Sequence, residues 1–232
     1  MPLSSETVVV IPAYQAEPTL RALVQAIGRL GLSVIVVDDA SSDRTFLEAR
    51  EAGAVVLQRA ANGGKGAALR DGLAEARRRG YEWIITMDAD GQHLPLDIPS
   101  FLEAGKQGGT DLMVGNRMKD PRGMPSHRRV TNWLMSGWIS CIAGQRVPDT
   151  QCGFRRVSRR LLEQVPMTSE RFEIDSEMII RAGWAGFRIA SVPVTCVYRR
   201  EASFIHPVGD TFRFLRFLRR LLAERRHASR RV

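Results

Sequence analysis

Cysteine is scarce in this 232-residue chain: Cys141, Cys152 and Cys196 stand far apart and odd in number. They make neither a metal-type cluster nor a disulfide framework, and read as reduced thiols of a cytosolic protein. A run of about 18 uninterrupted apolar residues is also missing, so no segment of the sequence is expected to span a membrane. The chain enters a strand-like run within a few residues, without a basic, apolar leader, and secretion is not expected. Internal repeats are absent, as is any linker rich enough to divide the chain. The helix-turn-helix, zinc-finger and other docking signatures of base readers are lacking too, so nucleic acid is not an expected partner. Gly63-Gly64-Lys65-Gly66 does not have P-loop spacing, and plain turn glycines are as good a reading of it as a phosphate cradle.

What remains is an ordinary globular composition, 44% hydrophobic and 25% charged,. The net charge of +9 is unevenly spread. Residues 199–232 hold ten arginines against Glu201, Asp210 and Glu224, a net +7. Such a tail suits nucleic acid or an anionic membrane surface, and composition alone does not choose between them; the missing docking signatures weigh against the first.

Strands and helices alternate through the first half. Thr7–Ile11, Ser33–Val37, Ala54–Leu57, Glu82–Met87 and Asp111–Gly115 are β-rich runs. Helices are expected over Glu17–Leu30, after the N-cap candidates Ser41 and Ser42, from Gly64 or Lys65, and over Leu96–Gly105. The strands are continuously apolar, as in a parallel sheet covered on both faces. Beyond Gly115 the rhythm changes. A Pro/Gly/basic loop over Lys119–Ser126 precedes an apolar helix at His127–Ala143. A strand at Gly153–Val157, a helix at Asp175–Trp184, a strand at Phe187–Val197 and a terminal helix at Asp210–Arg226 follow. The expected division is a catalytic domain over 1–205 and a basic amphipathic tail over 206–232.

Ligands of open α/β sheets bind at the carboxyl ends of the strands. Here the first strand ends in Pro12-Ala13-Tyr14, the second in Asp38-Asp39 and the fourth in Asp88-Ala89-Asp90-Gly91-Gln92. Acids at two strand ends and an aromatic at a third are more than turn chemistry. Asp88, Asp90 and Gln92 alternate along the chain, so they can converge on one hard cation, Mg²⁺ or Mn²⁺, shared with substrate phosphate. His93 reads as a polar loop residue and Arg129 as a solvated one.

Four segments occur in a telling order: Ile11-Pro12-Ala13-Tyr14, Val36-Val37-Asp38-Asp39-Ala40-Ser41-Ser42-Asp43, Gly64-Lys65-Gly66-Ala67-Ala68-Leu69 and Asp88-Ala89-Asp90-Gly91-Gln92-His93. Together they resemble family 2 glycosyltransferases, in the branch that makes dolichyl- or polyprenyl-phosphate mannose. Val114-Gly115-Asn116-Arg117, Asp149–Arg155 and Phe172-Glu173-Ile174-Asp175 extend the resemblance, which spans roughly residues 7–200. It implies an α/β GT-A fold, the Rossmann-like fold of nucleotide-diphospho-sugar transferases, with a mostly parallel sheet flanked by helices. It further implies that Pro12, Ala13, Tyr14, Val37 and Asp39 line the base and ribose site, with Asp39 bonding the base. Asp88 and Ala89 would lie near ribose and diphosphate, and Lys65 near the donor. Asp90 would be catalytic, and Asp88, Asp90 and Gln92 would form the metal set. Where the family has Tyr-Asn-Glu this chain has Tyr14-Gln15-Ala16, and Glu17 is the substitute one residue later.

The implied reaction is inverting transfer of a hexose from a GDP-mannose- or UDP-glucose-type donor to a polyprenyl phosphate. Its phosphate would meet Arg117, Arg128, Asn132 and Arg199; Arg128 and Asn132 lie four apart on one helical face. For a hydroxyl acceptor Asp175 would be the general base. Over residues 211–226 the apolar Phe214, Phe217, Leu218, Leu221 and Leu222 oppose Arg213, Arg216, Arg219 and Arg220. This describes a helix lying on an anionic membrane surface, here the inner face of the plasma membrane, or packed on the catalytic domain or a membrane-protein partner. Trp133, Leu134, Trp138, Ile139 and Ile142 offer a second membrane contact or ordinary core packing.

Overall fold

All seven residues of strand β1, Thr7–Ala13, are buried in the computed structural model, which describes residues 6–198 and 207–229. Val8, Val9, Val10 and Ile11 lose all solvent contact on both faces of the strand, which is why the run is apolar without alternation,. Strand β2 (Ser33–Asp38) pairs with β1 in parallel, setting Pro12 opposite Val37 and Ala13 opposite Asp38. Strand β3 (Val55–Gln58) continues the sheet beside β2, and β4 (Trp83–Thr86) flanks β1 on the other side. With β5 (Leu112–Asn116), β6 (Arg155–Ser158) and β7 (Ile189–Pro193) the order is β3-β2-β1-β4-β6-β5-β7. Only β6 runs against its neighbours, so the mostly parallel sheet is as expected.

Helices α1 (Glu17–Gly28), α2 (Thr45–Glu51), α3 (Lys65–Arg78) and α4 (Ile98–Lys106) connect the parallel strands. Helix α3 comes close to the sheet through a glycine: a Cβ on Gly72 would stand 2.4 Å from Val10 Cγ1. Helix α5 (Ser126–Ala143) leads into the second half, followed by α6 (Arg159–Gln164) and α7 (Glu173–Trp184). The sequence reading did not include α6, whose six residues are too few for a helical period to show.

Helix α2 begins at Thr45, and Ser41 and Ser42 do not cap it. Their hydroxyls accept from the Gln15 N–H at 3.0 Å and the Gln15 amide at 2.7 Å, joining the loops after β1 and β2. In those loops Gln15 (φ 53°) and Ala40 (φ 59°) are left-handed, a conformation costing a non-glycine residue roughly 1 kcal/mol or more and concentrated at functional sites.

The chain divides into two units, Met1–Tyr198 and Arg199–Val232. In the second, helix α8 covers Pro207–Ser229. Its Arg213, Arg216, Arg219 and Arg220 are exposed, as are Leu215 and Leu222, while Phe217, Leu218 and Leu221 are buried. No described helix is long and apolar enough to cross a membrane.

Candidate active site

The carboxyl ends of β1, β2 and β4 stand side by side, and backbone bonds lock the loops that leave them. Asp39 N donates to Ala13 O at 2.9 Å, and Met87 N to Val10 O at 3.1 Å. Pro12, Ala13 and Val37 are buried strand ends, whereas Tyr14, beyond them, is 45% exposed. Glu17 opens α1, and its carboxylate accepts from Arg44 N at 3.1 Å.

Asp39 is almost fully buried and heavily bonded. Its Oδ1 accepts from Arg59 Nη1 at 2.7 Å and Gly63 N at 3.0 Å, and its Oδ2 from Gly64 N at 2.7 Å. The amides of the glycine turn thus hold a carboxylate of the protein itself. Three of the roughly four acceptor positions of Asp39 are occupied, which leaves one direction for a donor on a ligand.

After β4 the chain turns through Asp88, Ala89 and Asp90. Thr19 Oγ1 donates to Ala89 O at 2.6 Å, tying the turn to α1. Gln92 N donates to Asp90 Oδ1 at 2.9 Å, and Gln92 O accepts from Val197 N at 2.9 Å. The turn therefore holds Asp90 and Gln92 together. The Asp88 Oδ1 lies 2.7 Å from Lys65 Nζ. The same ammonium lies 2.9 Å from Asp175 Oδ2, and Arg155 Nη2 lies 3.5 Å from Asp175 Oδ1. Burial alone would lower the Lys65 pKa; the Asp175 and Asp88 charges outweigh it and hold the ammonium above its ordinary value,. Burial likewise works to raise the Asp88 pKa, and Lys65 overrides it downward.

Arg155 was missed as a site component because its strand, Arg155-Arg156-Val157-Ser158, reads as polar. It is 1% exposed and donates to the carbonyls of Cys152, Thr150 and Asp175 at 2.8, 2.9 and 2.5 Å. Thr86 Oγ1 donates to Gly153 O at 2.7 Å, pinning the same loop to β4. A Cβ at position 153 would stand 2.6 Å from Asp88 Oδ2 and 2.8 Å from Lys65 Nζ, so any larger residue there displaces that pair.

A second cluster lies at the end of β5. Asp149 receives Arg117 N at 3.0 Å, Arg117 Nε at 2.8 Å, Arg117 Nη2 at 2.9 Å and Asn132 Nδ2 at 2.8 Å. Burial would raise the Asp149 pKa, but the Arg117 guanidinium holds it below the usual carboxylate range. Asn132 is buried with its amide oxygen accepting from Ser136 Oγ at 3.0 Å, while Arg128, one turn earlier, is exposed. The structure therefore brings Arg117 and Asn132 together through Asp149, a residue to which the sequence reading gave no role. Arg199 lies outside the described residues.

His93 is not the polar loop residue that its position suggests. It is 3% exposed, it forms a β-bridge with Cys196, and its ring packs on Phe154 at 5.4 Å. Burial pushes its pKa down to about 4, which leaves the imidazole neutral at pH 7.

Among the described residues no three His, Cys, Asp or Glu side chains converge in a metal cage. Mg²⁺ or Mn²⁺ fits the donors that are here, because such ions take one or two carboxylates and complete their shell with water and phosphate oxygens. Asp90 offers one such carboxylate, and Gln92, whose backbone N–H binds it at 2.9 Å, carries the neighbouring amide oxygen.

Glucosyl-3-phosphoglycerate synthase of Mycobacterium tuberculosis, solved with Mn²⁺, UDP and phosphoglyceric acid, superposes with a TM-score of 0.70 at 22% identity, covering 92% of this chain and 78% of that one. At that identity the likeness concerns the fold, which is GT-A. The family profile described as Glycosyl transferase family 2 matches residues 8–185. An undecaprenyl-phosphate mannosyltransferase of Micrococcus luteus is 31% identical over 207 residues, 82% of this chain and 83% of that protein. A UDP-N-acetylglucosamine–dolichyl-phosphate N-acetylglucosaminyltransferase of Methanococcus voltae is 28% identical over 212 residues, 82% and 84% of the two chains. The chain belongs to glycosyl transferase family 2 and is a glycosyltransferase.

Proposed function

We propose that this enzyme moves a hexose from a GDP-mannose- or UDP-glucose-type donor to a polyprenyl or dolichyl phosphate, inverting the anomeric carbon. The two curated relatives are named for lipid-phosphate acceptors and for different sugars, which supports the acceptor class more than the donor. The observation that carries the reading is the state of Asp175. A hydroxyl acceptor needs a base to remove its proton, yet the Asp175 carboxylate is pinned between Lys65 and Arg155. A phosphate acceptor brings its own anionic oxygen. That oxygen attacks the anomeric carbon, the bond to the nucleoside diphosphate breaks, and no proton must move.

Positioning and electrostatics then suffice. Tyr14, Val37 and Asp39 receive the nucleoside, and Asp88 with Ala89 bounds the ribose and diphosphate. Asp90 and Gln92 hold Mg²⁺ or Mn²⁺, which when bound neutralises charge on the leaving diphosphate. Arg117, its fork fixed by Asp149, and the exposed Arg128 face the acceptor phosphate.

The lipid acceptor requires a membrane surface. Helix α5 buries Asn132, Ser136 and Ile139 on one side and exposes Val130, Trp133, Leu134 and Trp138 on the other, at 56, 68, 57 and 57%. Core packing therefore does not account for the tryptophans. Indole rings beside exposed Arg128 and Arg129 suit the headgroup level of an anionic leaflet, here the cytoplasmic face of the plasma membrane, and the arginines of residues 211–226 add attraction.

The test is a panel of nucleotide-sugars with Mn²⁺ or Mg²⁺, read by thermal shift and then by transfer to a short polyprenyl phosphate. No stabilisation by any of them would sink the reading. Asp175→Asn, which still accepts from Lys65, should retain kcat/KM within about tenfold; losing a true base costs about 10²–10⁴-fold, and a loss of that size would favour a hydroxyl acceptor.

A further inference from the structure

We propose that the base of the donor is uracil, because Arg59 and the glycine turn leave Asp39 a single acceptor position to offer it. The inference rests on the reading of Asp39 as a base contact and deepens it by choosing between the two donor types. An ionised carboxylate has about four acceptor positions, two on each oxygen. Both positions on Oδ1 are filled, by Arg59 Nη1 at 2.7 Å and by Gly63 N at 3.0 Å. Gly64 N takes one position on Oδ2 at 2.7 Å, so the open one is the second on Oδ2. The Asp39 side chain is 3% exposed, which leaves a ligand one narrow approach. Arg59 is itself braced. Its Nε lies 2.8 Å from Asp71 Oδ2, and its Nη1 lies so close over Gly63 that a Cβ there would collide with it. Asp38 is not a second reader, since it is fully buried and its oxygens accept from Ser41 N at 3.1 Å and Gln58 Nε2 at 3.2 Å.

Uracil and guanine bring different groups to such a carboxylate. The imide edge of uracil carries one donor, N3–H, between two carbonyls. Guanine carries two adjacent donors, N1–H and an amino N–H, which a free carboxylate receives as a fork with one bond to each oxygen. Here the Oδ1 side of that fork is taken by Arg59 and Gly63. One guanine N–H would be buried without an acceptor, a loss of about tenfold or more in affinity. Arg59 is thus a specificity-determining residue: it occupies the acceptor that guanine needs and uracil does not.

The experiment measures the affinity of the full chain for UDP, GDP and inosine diphosphate by calorimetry, with and without Mn²⁺, alongside circular dichroism of each variant. UDP should bind about tenfold or more tightly than GDP. Inosine diphosphate, which is GDP without the amino group, should bind several-fold more tightly than GDP, and N3-methyl-UDP should bind about tenfold or more weakly than UDP. Arg59→Met reopens Oδ1 and should narrow the gap between UDP and GDP to within about threefold, while Arg59→Lys, which keeps a donor on Oδ1, should retain the parent's gap. GDP binding as tightly as UDP or inosine diphosphate in the parent, or a gap that Arg59→Met leaves unchanged, overturns the role of Arg59 and leaves the nucleotide site standing. N3-methyl-UDP binding as tightly as UDP removes Asp39 as the base contact and also overturns it. Absence of binding by every nucleotide, even with Mn²⁺, removes the donor reading itself and the inference with it.

Discussion

Replacing Asp149 with Asn keeps the shape of the side chain and removes its charge, and the structure sets what should follow. The Asp149 side chain has no exposure and the Arg117 side chain 15%, so solvent screens little of their interaction. Three hydrogen bonds from Arg117 and one from Asn132 converge on this carboxylate. In the variant the guanidinium stays buried without its anion, a change that costs about 3–5 kcal/mol. For a domain of this size that is a fall in Tm of roughly 6–20 °C. Because the folded-state pKa of Asp149 is depressed, its contribution is fully present above the unfolded value of about 3.9 and is lost as pH falls through that value and below. Urea titrations of parent and variant from pH 7 down to pH 3 check both points. The stability gap should be widest at pH 7 and narrow at the acid end. A gap below about 1 kcal/mol at pH 7, or one that does not change with pH, would refute the account of Arg117 as a guanidinium fixed by a buried charge.

Gly153→Ala should leave the fold in place, by circular dichroism, while lowering kcat/KM on the order of 100-fold, because its methyl group displaces Asp88 and Lys65 by a fraction of an ångström or more. Substituting Trp133 and Trp138 with Ser should weaken sedimentation with anionic vesicles yet leave the thermal-shift response to nucleotide-sugar intact; equal binding of parent and variant vesicle samples would remove α5 from the membrane contact.

Legibility in the sequence followed burial. Strands β1, β2, β4 and β5 are apolar on both faces and could be located within a residue or two, and the acids that end β2 and β4 fall where the turn chemistry puts them. Strand β6 was placed two residues early, since nothing in Arg155-Arg156 signals a core. Arg155 can be buried because three carbonyls receive it, and Arg156 because its guanidinium lies 3.4 Å from the centre of the Trp83 ring. Such partners come from distant segments and leave no local pattern. The same holds for Lys65, whose pairing with Asp175 spans 110 positions. Ser41 and Ser42 have cap-forming chemistry, but the left-handed Gln15 claims them first. His93 looked like a turn residue because its cover, Cys196 and Phe154, lies far along the chain.

The position of β6 also matters to a chain still being made. It lies between β4 and β5, so when residue 116 has emerged neither strand has its β6 partner. Two apolar strands wait with unpaired backbone until residues 155–158 arrive, at a synthesis rate of about 5–20 residues per second a delay of several seconds. Open strand edges of this kind invite pairing with other chains. Once inserted, β6 brings Arg155 to Asp175, so the strand that closes the sheet also helps complete the catalytic end of it.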